Sequence, residues 1–192
     1  MIMLHIFTEE PSLKIVLESI LPKIVPQTVY YQIYSHQGKQ DLEIALRKTL
    51  PTISKIPGSR VLVTRDQDSA DCKDVKKHLI DLIELNCSCQ FKIRIVCREL
   101  ESWYLGDMSA IEKAYPRFTA SNHINKSEFR NVDKIQSPNR ALLKIIPEYS
   151  AREYLPKLET AENISQHLDL ENNKSDSFKH TINAVLSLIK QN

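Results

Sequence analysis

Three aspartates, Asp66, Asp68 and Asp71, follow the short apolar run at residues 61–63. A run of this length, rich in β-branched residues, predicts a strand buried on both faces. Residues two apart in an extended segment point the same way, so Asp66 and Asp68 would present two carboxylates together. Such carboxylates repel each other unless a cation or proton lies between them, and oxygen ligands favour Mg²⁺ or Mn²⁺. The pattern predicts a divalent metal site; the alternative is that Asp68 or Asp71 caps the following helix.

Two further acidic pairs follow predicted strands. Glu9 and Glu10 come after the first apolar run, and Glu99 and Glu101 come after the fourth. Ligands of open α/β sheets bind beyond the carboxyl ends of the strands, so we expect all three acidic groups to meet at one edge. There Glu9 would be a metal ligand or the general acid–base, and Glu101 would complete the ligand set. The alternative is a solvated rim of surface acids.

Apolar and helical patterns alternate along the first half of the chain. The predicted strands cover residues 1–7, 29–34, 61–63 and 91–97. Helical spacing indicates helices at 13–24, from 41 onward and at about 71–85, with Ser12 and Asp41 as N-caps and Pro22 among the helix stops. This alternation predicts an α/β fold, a mostly parallel sheet flanked by helices.

The pattern changes after residue 107. A polar stretch at 116–138 predicts an ordered loop or an arm. Short helices are predicted at about 139–146, 152–168 and 177–190. We therefore expect an α/β catalytic domain over 1–107 and a helical C-terminal extension packed on it over 108–192.

Composition excludes several classes of protein. Three glycines among 192 residues leave no Gly-rich phosphate loop, whether of the Walker or the dinucleotide type. No apolar run approaches the ~20 residues that a membrane span needs. Four cysteines without scaffold spacing favour a reduced, cytoplasmic protein, and the net charge of +2 gives no overall signal for nucleic acid.

Other polar residues are candidates for substrate binding. Lys39, beside Gly38 in a polar turn, could contact phosphate or stabilise a developing charge, although a solvated turn lysine is the alternative. Asp107 could bind a second ion or substrate. Arg130 is one of several basic residues that could follow a phosphate backbone, and Lys174 lies in a polar segment before the last helix. Trp103 could stack on a base, but core packing is favoured.

The order of these motifs resembles the TOPRIM fold of topoisomerases, primases and nucleases of the overcoming-lysogenization-defect type. Thr8-Glu9 follows the first strand, and Asp66-Gln67-Asp68 follows the third. The whole chain also resembles a stand-alone bacterial TOPRIM-like family of unknown function. The motifs that carry this second resemblance are Glu-Glu-Pro-Ser, Gly-Lys-Gln-Asp, Arg-Asp-Gln-Asp, Glu-Leu-Glu-Ser-Trp, Gly-Asp and Asn-Asn-Lys-Ser-Asp-Ser-Phe.

The resemblance implies roles for individual residues. Glu9 would be the catalytic glutamate, Asp66 and Asp68 the metal-binding pair, and cleavage of nucleic-acid strands the chemistry. Many TOPRIM domains have glycine where this chain has Glu10, which would add charge to the site or contact substrate. The resemblance also implies a separately encoded ATPase of the ABC or structural-maintenance type as partner in anti-phage defence.

Three functions remain open on the sequence. The first is a Mg²⁺-dependent nuclease acting on DNA or RNA, as a monomer or a homodimer. The second is a non-catalytic binding or regulatory subunit of an ATPase complex. The third is a phosphohydrolase or phosphotransferase that uses the same metal geometry on small molecules.

Overall fold

The computed structural model describes residues 1–190, which form four strands, eight α-helices and four short 3₁₀ helices. The strands are β1 (Ile2–Thr8), β2 (Val29–Ser35), β3 (Ser59–Asp66) and β4 (Gln90–Val96). The helices are α1 (Pro11–Ile24), α2 (Lys39–Ile53), α3 (Cys72–Glu84), α4 (Glu101–Leu105), α5 (Met108–Ala114), α6 (Pro138–Ile145), α7 (Lys157–Ser165) and α8 (Asp176–Ile189).

The four strands form one parallel sheet in the order β2-β1-β3-β4. The central strands β1 and β3 are buried along nearly their whole length, which explains their continuous apolar sequence. Thr8 pairs with Ser35 of β2 and with Thr64 of β3, so these strands end almost level. The predicted α/β fold with a mostly parallel sheet is confirmed. Residues that follow the four strands therefore leave from one edge.

One face of the sheet is covered by α2 and α3. Phe7 and Val63 point from the central strands into a cluster with Leu46 of α2 and Leu79 of α3. All four side chains are fully buried or nearly so. The two helices of this layer connect consecutive strands, as the alternation of strand and helix patterns in the sequence predicts.

The opposite face is covered by α1 and by the last helix, α8. Leu4 and Leu62 of the sheet belong to one apolar cluster with Val16 of α1 and Val185 of α8. Helix α8 lies against β4, β3 and β1, and α7 lies along α1. The core of the sheet is thus built from both halves of the chain, and the division at residue 107 stays a prediction.

Helix α4 is fixed to the start of α8 through a buried tryptophan. Trp103 is completely buried, its Nε1 donates a hydrogen bond to Ser177 Oγ (2.8 Å), and its ring meets Phe178 edge-on at 5.2 Å. Ser175 is the N-cap of α8, since its Oγ accepts a hydrogen bond from the backbone N–H of Phe178 (3.2 Å). Core packing of Trp103 is confirmed, and base stacking by Trp103 is excluded by its burial.

Several predicted helix ends are wrong. Helix α1 begins at Pro11, with Glu10 rather than Ser12 at the N-cap, because proline is favoured in the first turn. Its end at Ile24 agrees with the predicted range of 13–24, but Pro22 lies inside the helix and does not stop it. The helix predicted over 152–168 begins only at Lys157, because a residue that precedes proline disfavours the helical conformation.

The polar stretch at 116–138 is an ordered loop. It contains three 3₁₀ helices, Ala120–Asn122, Ser127–Phe129 and Val132–Lys134. Phe129 and Val132 are buried in the same apolar cluster as α8, so the stretch contributes to the core. Among the described residues, no helix has the length and apolar character needed to cross a membrane.

Candidate active site at the carboxyl ends of the strands

Carboxylates from three strand ends meet at one edge of the sheet. Glu9 follows β1, Asp66 is the last residue of β3, and Glu101 is the first residue of α4, which follows β4. The backbone N–H of Asp66 donates a hydrogen bond to Glu9 Oε2 (3.2 Å). The charges of Glu10 and Glu101 also act on Asp66. The parallel topology brings these acids together, while their chemical roles stay predictions.

Asp66 is the most perturbed acid of the group. Its side chain is buried, and its Oδ1 has no hydrogen-bond partner among the described residues. Burial raises the pKa of Asp66 well above its usual range, and repulsion by Glu10, Glu101 and Glu9 raises it further. A buried carboxylate with an unpaired oxygen and like charges around it is favourable only when a proton or a cation neutralises it.

Glu101 is the second buried acid. Only 1% of the residue is exposed, and Oε2 has no hydrogen-bond partner in the described chain. Burial raises the pKa of Glu101 to about 7, although attraction to Lys157 partly opposes the shift. The hydroxyl of Tyr104 in the same helix is likewise buried without a partner, and burial followed by repulsion from Glu101 raises its pKa well above the usual value. Because its pKa is about 7, Glu101 changes protonation near neutral pH.

Glu9 lies between the acidic cluster and an ion-pair chain on α2. Arg65 Nε is 3.7 Å from Glu9 Oε2, and Arg65 Nη1 is 3.4 Å from Glu43 Oε1. Glu43 in turn approaches His78 Nε2 at 3.1 Å. Burial raises the pKa of Glu9, the charge of Asp68 adds to this effect, and Arg65 opposes it. Arg65, which is nearly buried, thus holds Glu9 in place.

The structure adds one cation to this cluster that the sequence does not predict, Lys157. It is the first residue of α7, and its Nζ lies 3.0 Å from Glu10 Oε2. Burial alone would lower the pKa of Lys157, but attraction to Glu101 and Glu10 outweighs burial and raises it. The packing of α7 on α1 brings this lysine to the carboxylates. No pattern in the sequence near residue 157 indicates the contact.

The geometry predicted for Asp68 is wrong. Its φ is +54°, a left-handed conformation, so Asp68 does not continue β3 as an extended residue and is exposed where Asp66 is buried. The cause is a pairing between two loops, in which the N–H of Asp68 donates to Arg98 O (2.9 Å). Arg98 is itself left-handed, with φ +61°, and its Nη1 donates to Asp68 O (3.3 Å). Asp68 and Arg98, with Glu99, line a cleft of about 210 Å³. Asp71 is the N-cap of α3, as the alternative interpretation predicts.

The turn at Gly38 lies against the same edge. The N–H of Gly38 donates to Glu9 O (2.9 Å), and the φ of +98° at Gly38 is one that only glycine adopts easily. Lys39 follows as the first, exposed residue of α2. Contact of Lys39 with phosphate is compatible with this position and stays a prediction.

The remaining candidates have other contacts. Asp107 caps α5 by accepting from the N–H of Ala110 (3.0 Å), and its second oxygen accepts from the N–H of Asp169 (2.7 Å), so packing gives it a structural role and disfavours substrate binding. Lys174 Nζ donates to the backbone carbonyl of Ile124 (3.3 Å), in the ordered loop at 116–138. Arg130 lies in a surface depression of the same region. Substrate binding by Arg130 and Lys174 stays a prediction.

The donor atoms of the cluster suit a hard cation, but their spatial arrangement does not. Asp66 Oδ1 and Glu101 Oε2 are buried oxygens without hydrogen-bond partners in the described part of the chain, and Mg²⁺ and Mn²⁺ prefer such oxygen ligands. Within residues 1–190, however, no group of three or more His, Cys, Asp or Glu side chains is arranged to hold a metal ion. The ammonium of Lys157 supplies positive charge at this place instead. Metal binding therefore requires these side chains to move closer together.

Comparisons with known proteins agree with this description. Residues 8–186 match the family described as "Domain of unknown function (DUF4276)". No curated protein matches the chain. Among solved structures, the C-terminal region of the Burkholderia pseudomallei OLD protein has a similar fold, with a TM-score of 0.55 and 14% identity over 97% of this chain and 98% of that chain. The expected resemblance to proteins of the overcoming-lysogenization-defect type is thus confirmed for the fold. The chain belongs to the DUF4276 family.

Proposed function

We propose that this protein is a divalent-metal-dependent nuclease that cleaves phosphodiester bonds of DNA or RNA. The observation that carries the proposal is the buried oxygen of Asp66 that has no partner within residues 1–190. It lies among Glu9, Glu10 and Glu101 at the carboxyl edge of the sheet. Ligands of parallel α/β sheets bind at this edge. Similarity of the fold to a region of an OLD protein supports the same class of function.

The residues that would hold Mg²⁺ or Mn²⁺ are Glu9, Asp66, Asp68 and Glu101. Bound there, a divalent cation would lower the pKa of a coordinated water and neutralise phosphate charge. Glu9, if it is not a ligand, would accept a proton from an attacking water as the general base. Lys157 would place a further positive charge beside the phosphate, because it already faces these carboxylates.

Cleavage assays with a conservative variant test the proposal. Plasmid DNA and transfer RNA are incubated with Mg²⁺ or Mn²⁺ and with the wild type, Asp66→Asn or Asp81→Asn. Loss of the Asp66 carboxylate should lower cleavage at least about 100-fold, since it removes a metal ligand. Asp81, exposed on α3, is the matched control and should cleave as the wild type does. The proposal would be refuted if Asp66→Asn cleaved as fast as the wild type. It would also be refuted if the wild type cleaved neither substrate with either metal, even after addition of the partner ATPase described below.

A non-catalytic subunit is the second candidate. It is favoured by the ion pair of Lys157 with Glu10, which already neutralises part of the cluster without a metal. We propose the same partner for either function, a separately encoded ABC-type or structural-maintenance-type ATPase acting in anti-phage defence. Cleavage that appears only after this ATPase is added would support a nuclease effector, whereas complex formation without cleavage would support the regulatory subunit. Light scattering of the purified chain would decide between monomer and homodimer.

A further inference from the structure

Strand β4 has an open edge. The sheet order places β3 on one side of β4 and, in the described chain, no strand on the other. The carbonyl of Val96 accepts a hydrogen bond from Gln67 N (2.9 Å), so the main chain of Val96 faces β3. Main-chain groups alternate in direction along a strand, so those of Ile95, Ile93 and Phe91 face outward. Ile93 O accepts a long hydrogen bond from Arg94 Nη1 (3.4 Å), and the other outward groups have no hydrogen-bond partner in the described chain. Such a row of donors and acceptors is a template for another strand.

A groove runs along this open edge. Its floor is formed by Ile93 and Ile95. Its walls are formed by α3 on one side and by α8 with the 3₁₀ helix Val132–Lys134 on the other. The volume of the groove is about 550 Å³. It continues at Lys76 and Ile93 into a second depression of about 340 Å³ beside Phe91. The two depressions together follow the length of β4.

The groove is cationic. Its basic side chains are Lys73, Lys76, Lys92, Arg94 and Lys134. The two acids beside it have other partners. Asp133 accepts from Ser175 Oγ (2.7 Å) and from the N–H of Ser177 (3.0 Å), and Asp176 lies 4.0 Å from Lys179. Five basic side chains against these two acids leave the groove with a net positive charge.

We propose that an extended, acidic segment of a partner protein binds this groove and adds a fifth strand to the sheet beside β4. Seven residues of β4 span roughly 23 Å at ~3.3 Å per residue, so the segment would be of similar length. Its main chain would pair with the outward groups of Phe91, Ile93 and Ile95, and its carboxylates would face the basic side chains, a recurrent mode of peptide recognition.

Two other occupants fit less well. A second copy of this chain pairing through the same edge would bring Lys92 and Arg94 close to their own equivalents, and like charges across a strand pair are destabilising. Nucleic acid would match the charge of Lys76 and its neighbours but would leave the outward N–H and C=O groups of β4 without regular partners. The combination of charge and main-chain pattern favours a peptide.

The test uses a fluorescein-labelled octapeptide that alternates glutamate and valine, with the full-length protein. Fluorescence anisotropy measures binding, and hydrogen exchange measures protection of Gln90–Val96. We expect the peptide to bind and to protect the amides of Phe91, Ile93 and Ile95. A peptide of the same sequence with an N-methyl group on every residue has no N–H to donate to a strand edge and should not bind.

Variants separate charge from fold. The double change Lys76→Glu and Lys92→Glu should weaken peptide binding by about tenfold or more, because two attractive charges become repulsive. The matched control is Lys48→Glu with Lys55→Glu, two exposed lysines on α2 and just after it, which should bind as the wild type does. Asp66→Asn should also bind normally, so that a failure of the proposed nuclease function leaves this inference intact.

Several results would overturn the inference. The first is that the glutamate–valine peptide does not bind. The second is that the N-methylated peptide, or a peptide that alternates lysine and valine, binds as tightly as the glutamate–valine peptide. The third is that the bound peptide protects amides outside β4 from hydrogen exchange. Displacement of the peptide by a short DNA duplex that itself protects Gln90–Val96 would assign the groove to nucleic acid instead.

Discussion

The substitution Glu101→Gln should make the metal-free protein more stable, and the gain should depend on pH. Glu101 is buried, and its pKa rises from the usual 4.5 to about 7 in the folded state. The folded protein thus holds a proton that the unfolded chain has already lost between these two values. Stability from this group is fully present below pH 4.5 and is lost as the pH rises through about 7.

The size of the loss follows from the two pKa values. Each tenfold difference in proton affinity corresponds to ~1.4 kcal/mol, so the whole shift is worth about 3 kcal/mol. Glutamine has the same shape and no charge to bury, so the variant escapes this loss. Between about pH 5 and pH 8, the free energy of unfolding of the wild type should fall by roughly 2 to 3 kcal/mol more than that of Glu101→Gln.

Urea unfolding followed by circular dichroism, with a chelator present, measures this difference. Glu84→Gln, at an exposed position on α3, is the control and should have the pH dependence of the wild type. Parallel pH profiles for the wild type and Glu101→Gln would show that Glu101 is ionised without cost, and the account of the buried cluster would be wrong. Added Mn²⁺ should stabilise the wild type more at the higher pH, because ionised carboxylates bind the cation.

Three further outcomes are expected. Lys157→Met should destabilise the chelator-treated protein by about 1 kcal/mol, because the ion pair that it removes, with Glu10, is partly exposed. The same variant should bind Mn²⁺ more tightly in calorimetry, because a competing positive charge is gone. Weaker Mn²⁺ binding would contradict this. Arg98→Val should lower the unfolding free energy by about 1 to 2 kcal/mol more than Arg98→Asn, because a β-branched residue resists the positive φ; equal effects in urea unfolding would show that this backbone is unstrained. Gly106→Ala should cost about 1 to 3 kcal/mol in the same assay, because the new methyl group meets the buried amide of Asn173, and wild-type stability would show that this contact yields easily.

The sequence predicts the sheet and its acidic edge because both depend on local patterns. Buried strands are recognised in the sequence as apolar runs, and the carboxyl ends of parallel strands lie at one edge of a sheet. The sequence therefore predicts that Glu9, Asp66 and Glu101 lie together. Lys157 could not be placed, since it is separated from Glu10 by 147 positions and arrives through helix packing that periodicity does not specify. The extended geometry that the sequence predicts for Asp68 is wrong, because its conformation depends on a pairing with a loop 30 residues away.

The position of α8 has a consequence for how the protein is made. During synthesis the sheet is complete once β4 has emerged, yet Leu62 and Val96 stay uncovered until the last helix follows. Contacts of such long sequence separation slow folding and leave apolar surface open to aggregation in the meantime. A fragment that stops at residue 107 should therefore aggregate or bind chaperones rather than behave as a small enzyme. The acidic edge would acquire its lysine, and its low-dielectric surroundings, only in the final moments of folding.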